Sequence, residues 1–116
     1  MNEENNELLE FCTQLVRINA VLAELFKSGN VELIGELNAA VKALHKVQSG
    51  SSDPVLQALS EECKVIYVNS DMIVEVLRTT ENGVIDGGAQ RALNKFLHNI
   101  DEAVVTIAKA LGMIEE

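Results

Sequence analysis

Residues 6–27 carry two adjoining apolar seams, and no other feature limits the possible folds as much. On a helix turning about 100° per residue, Leu8, Phe11, Leu15, Ile18, Leu22 and Leu25 form one seam. Leu9, Cys12, Val16, Ala23 and Phe26 form the other. Both follow the three-then-four spacing by which a helix buries a stripe against another helix. Together they span roughly 200° of the cylinder, about twice what a helix touching one layer needs. The pattern predicts a core helix with neighbours on at least two sides, supplied by this chain or by a second copy.

The rest of the chain can supply them. Its 116 residues are 47% hydrophobic, which argues against disorder and for one domain spanning 1–116. Aromatics are only 3% and Trp is absent, so the core must be aliphatic, as helical packing favours and as stacking sites for bases or sugars do not. Pro54 is the single proline, so nothing else interrupts long helices.

Boundary signals divide the chain into four helices, about 6–28, 31–48, 54–81 and 89–114. Gly29 is placed to end the first helix in the left-handed conformation, and Asn30 to cap the second. The second helix has a core face of Leu33, Ile34, Leu37, Val41 and Leu44. The run 49–52, Ser-Gly-Ser-Ser, is a break, and Asp53 followed by Pro54 reads as N-cap and first helical residue. The third helix carries Leu56, Leu59, Cys63, Ile66, Ile73 and Leu77 at heptad spacing, with Ser70 completing the series. A second seam follows Ala58, Val65, Met72 and Val76. Residues 65–68 have strand propensity, but helical periodicity continues on both sides of them. Asn82 and Gly83 mark the end of this helix, and Val84 is placed to pack back on it. Leu93, Phe96, Ile100, Val104, Ile107, Leu111 and Ile114 give the fourth helix an apolar arc of about 160°. The expected fold is all-α, an antiparallel four-helix bundle.

Charge and spacing exclude several functions. A net charge of −9 repels phosphate backbones and anionic membranes, so neither nucleic acid nor membrane is an expected partner. No run is apolar for long enough to span a bilayer, and no basic-then-apolar leader opens the chain. Cys12 and Cys63 lie on apolar helix faces without paired spacing, as reduced core thiols in a cytoplasmic protein do. A carboxylate-bridged metal site in a bundle needs Glu three residues before His, and those positions hold Lys42 and Lys95. With no nucleophile elbow, phosphate-binding loop or dinucleotide fingerprint, the expectation is no enzyme, no metal and no cofactor.

Polar residues inside apolar arcs are the next clue. Asn19 lies in the arc of the first helix, and Glu62 and Asn69 lie in that of the third. Such residues meet each other or a backbone group, or line an interhelical groove; a seam Asn can also set register between copies.

His45 sits at the edge of the second helix's apolar arc, in the stretch His45-Lys46-Val47-Gln48-Ser49-Gly50. This is similar to the His-x-x-Lys-Gly motif of histidine phosphotransfer domains, helical bundles of about this size. The resemblance implies a signalling domain with His45 as phosphoryl acceptor. Gln48 stands where the motif has its lysine and Ser49 where it has its glycine.

Val21, Val68 and Val105 fall on otherwise polar faces. Taken with the wide arcs of the first and third helices, they point to more apolar surface than one small bundle buries. The leading expectation is therefore a non-enzymatic, acidic interaction protein (adaptor, chaperone or regulator) that forms a homodimer. Its composition is similar to that of small acidic helical proteins that hold secretion substrates or toxins. Interface candidates are Ile18, Asn19, Val21, Leu25, Val68 and Met72.

Overall fold

A computed structural model of the chain describes residues 3–79 and 86–114. Those residues are all-α, with five helices: α1 (Glu3–Ser28), α2 (Leu33–Gly50), α3 (Pro54–Gln57), α4 (Ser60–Thr79) and α5 (Gly87–Ala110). α1 packs on α2, α2 on α4, α4 on α5 and α5 on α1, with the last pairing the loosest; the short α3 lies against α2. Their shared core includes Phe11, Leu15, Ile18, Leu37, Leu44, Leu56, Ile66, Ile73, Ile100 and Ile107, all within 1% of full burial. Each such side chain stabilises the fold by about 1.5–3 kcal/mol relative to exposure.

The boundaries follow from local chemistry. Gly29, at φ +67°, ends α1, with its N–H donating to the Leu25 carbonyl at 2.8 Å. Asn30 does not cap α2 directly. Its Oδ1 accepts from the Glu32 N–H, and its carbonyl accepts from Leu33, both at 3.1 Å. A tight turn thus intervenes, and α2 begins two residues later than expected. Asp53 caps α3, its carboxylate accepting from the Val55 N–H at 2.9 Å, with Pro54 in the first turn.

The single helix expected over 54–81 is divided at Ala58 and Leu59. There the Leu59 N–H bonds the Leu56 carbonyl at 3.1 Å, a tightening to the i→i−3 pattern. The same carbonyl receives the Gln48 side-chain amide from α2. The buried face survives the break: Leu56, Leu59, Cys63, Ile66, Ser70 and Ile73 are all buried, and Leu77 is half-buried. The expected end at Asn82 and Gly83, with Val84 packing back, lies outside the described residues.

α5 starts on Asp86, whose carboxylate accepts from the Ala89 N–H at 2.7 Å. It stops at Ala110 rather than continuing to 114. Gly112 adopts φ +73°, its N–H bonds the Lys109 carbonyl at 3.1 Å, and the Met113 N–H bonds the Ala108 carbonyl at 2.8 Å. This paired closure ends a helix when a glycine follows it. Ile114, expected at a core position, is consequently exposed.

Candidate functional site

The two seams of α1 have different fates. Along the inner seam Phe11, Leu15, Ile18, Leu22 and Leu25 are buried and Leu8 is half-buried. Along the outer seam Leu9 is 67% exposed, Val16 54% and Phe26 44%; Asn19 and Ala23 are also exposed and Cys12 is half-buried. The helix therefore commits about half of its apolar arc to the core and leaves the other half open.

This division corrects three of the interface candidates. Ile18, Val21 and Leu25 lie inside the chain's own core. Val21 is buried although its sequence neighbours are polar, because that flank meets α2. One turn before it, the Arg17 guanidinium reaches the Glu36 carboxylate of α2 at 4.0 Å. Gln14, on the same flank, is half-buried and donates to Glu10 at 2.9 Å. The polar residues there line a helix–helix groove rather than a solvent face. Val105 is half-buried. Asn19, Val68 and Met72 are exposed.

α5 borders the outer seam. Val16 and Asn19 of α1, Val105 and Ala108 of α5, and Met113 and Ile114 beyond it line a groove of about 230 Å³. Val16, Met113 and Ile114 are each 40% exposed or more, so the groove is apolar and open. Nearer the other end of α1, the Phe26 ring stacks on His98 of α5 with centroids 5.0 Å apart. A second apolar face lies on α4, where Val65, Val68 and Met72 are 41–47% exposed.

The polar residues expected in the third helix's arc line the groove between α4 and α5. Asn99 donates to the Asn69 Oδ1 at 3.0 Å, and Asn69 donates to the Val65 carbonyl at 2.7 Å. Glu61, Glu62 and Glu102 border the same groove. Burial pushes the Cys63 thiol up to about 12, and the Glu62 carboxylate adds to that shift. Burial raises the Cys12 thiol as well. Both cysteines are free thiols held protonated at neutral pH.

His45 is half-buried, its ring tilted against Tyr67 of α4 at 4.4 Å, and its Nδ1 is buried without a hydrogen-bond partner. α2 continues five residues past it, to Gly50. Gln48, at the position of the phosphotransfer motif's lysine, is 7% exposed and turned inward, its Nε2 donating to the Leu56 carbonyl at 3.1 Å. Ser51, also buried, donates to the Glu7 carboxylate of α1 and accepts from the Asp53 N–H at 3.0 Å. Sequence reasoning missed Gln48, Ser51 and Glu7 as a group. The one available signal is two polar residues flanking a break that the core must seal.

Among the described residues no three His, Cys, Asp or Glu side chains gather around a point where a metal ion would sit, and no helix is long and apolar enough to cross a membrane. Comparison with models of known protein families, with curated proteins and with solved structures finds no match for this chain.

Proposed function

We propose that the chain is a non-enzymatic, acidic interaction protein, an adaptor, chaperone or regulator that works in the cytoplasm as a homodimer. The observation that carries this reading is the open outer seam of α1, with Leu9, Val16 and Phe26 exposed on one helix face. Apolar side chains exposed along one helix face in this way support a docking role. The exposed Val65, Val68 and Met72 of α4 support the same reading. Two free thiols suit a reducing compartment. We read the fold as a single antiparallel four-helix bundle in which α3 is the offset first turn of the third helix. The supporting feature is the unbroken buried series from Leu56 through Ile73.

Sedimentation equilibrium tests the proposal. The native chain is expected to exceed its monomer mass of 12.6 kDa at tens of micromolar, and Val16→Glu or Met72→Glu to restore it. A native chain that stays monomeric at those concentrations would rule out the homodimer.

A further inference from the structure

We infer that residues 112–114 are a strap hinged at Gly112, with two positions. In the one seen in the structure they turn back onto α1; in the other they lift off as a continuation of α5. The inference goes beyond the interaction reading and holds whether or not the chain pairs with a copy of itself. Leu111 is the fixed side of the hinge, half-buried against the core. Gly112, at φ +73°, turns the chain, and Met113 and Ile114 come to line a groove with Leu15, Val16 and Asn19 of α1. The floor of that groove is Leu15 and Val104, 1% and 3% exposed. The strap thus stands between water and the core at the loosest helix pairing.

Its attachment is light. The Gly112 and Met113 N–H groups bond back to α5, at the Lys109 and Ala108 carbonyls. Among the described residues no hydrogen bond or ion pair joins residues 112–114 to α1. Met113 and Ile114 hold by apolar contact alone, and each remains 40% exposed or more. The unbranched thioether of Met113 adapts to an irregular groove, so the contact does not depend on one fixed geometry.

The lifted position competes because the sequence supports it. Leu111 and Ile114 extend the apolar spacing of Leu93, Ile100, Val104 and Ile107 by one more turn. Gly112 decides between the two. Glycine enters the left-handed region without the penalty other residues meet there, and it is a poor helix former. A Cβ built at Gly112 has no atom within 4 Å. Gly112→Ala therefore changes the backbone preference without a clash, and both of its effects favour the lifted helix.

Thiol labelling beneath the strap reads its position. Val104→Cys places a thiol on the groove floor, and Cys12→Ser leaves buried Cys63 as the internal reference. The introduced thiol should react with a disulfide reagent well ahead of Cys63, at a rate that barely changes in low urea. Gly112→Ala should speed that reaction about tenfold or more, leave Cys63 unchanged and add helical signal in circular dichroism. Labelling in step with Cys63, or a rate indifferent to Gly112→Ala, would overturn the strap. If Val104→Cys does not fold, the native chain decides. Its Met113 methyl should show nuclear Overhauser contacts to Leu15 or Val16 that weaken in Gly112→Ala. Contacts absent from the native chain, or unchanged in the variant, would overturn the inference.

Discussion

Gln48 and Leu56, eight residues apart, are joined inside the protein: the Gln48 Nε2 donates to the Leu56 carbonyl at 3.1 Å, and Gln48 is 7% exposed. This bond ties the end of α2 to α3 across residues 51–53. Gln48→Ala would leave a buried carbonyl without its donor, which costs about 1–3 kcal/mol. Urea unfolding should show a lower midpoint at unchanged slope. Gln48→Lys, which restores the motif's lysine, should cost at least as much, because it puts an ammonium where an amide is buried.

No phosphoryl transfer through His45 is expected. Incubation with a histidine kinase or a phosphorylated response regulator should leave no acid-labile label on the chain. The cation that would balance a phosphoryl group is missing at position 48, and the amide there faces inward. Label that appears on the native chain and disappears in His45→Gln would reinstate the signalling reading.

Ser70 interrupts the apolar series of α4 and donates to the Asn38 Oδ1 of α2 at 3.0 Å. Ser70→Ala should lower stability by about 1 kcal/mol by removing this bond. Replacing both partners, Ser70→Ala with Asn38→Leu, should recover part of that loss, because no polar atom is then left unmatched. Denaturant unfolding of the two single variants and the double variant measures the coupling. An additive result would show that the bond contributes nothing.

Alkaline stability should report on Cys63. Burial raises its thiol from 9.0 to about 12 in the folded chain. Below the lower value both states hold the proton and the group adds no slope. Between the two values only the unfolded chain releases it, so stability falls as pH rises, by at most about 1.4 kcal/mol per pH unit. Thermal unfolding from pH 8 to 11 should show this decline, and Cys63→Ala should show a shallower one. Equal slopes would mean that the thiol is not desolvated as its burial implies.

The face that each helix buries is legible in its periodicity where the arc is narrow. The heptad series from Leu56 to Ile73 is buried as spaced, and so are Leu93, Ile100, Val104 and Ile107 of α5, with Phe96 half-buried among them. On α1 periodicity measures the width of the arc but not which half turns inward, since Leu8 with Leu15 and Leu9 with Val16 have equal claims. The burial of Val21 is hidden for a related reason, because Gln14 and Arg17 look the same in a helix groove as in water. At the break near Ala58 the Leu56 carbonyl accepts from Gln48, a side chain of another helix, and no local pattern announces that bond. Gly112 did carry a signal. The apolar repeat running on to Ile114 outweighed it, although a glycine just past a helix end is the stronger physical statement.

From the loose pairing of α1 with α5 follows an expected order of assembly and opening. Setting aside α3, the other helix pairings join consecutive segments of the chain, and such local contacts form quickly. The first and last long helices make the one pairing between the ends of the sequence, so their seam is expected to close last. It is also where native-state opening should begin, with amide exchange fastest along that edge. A second copy docked on the outer seam of α1 would sit beside this edge and slow its opening, so dimerisation would be felt first as kinetic resistance to unfolding.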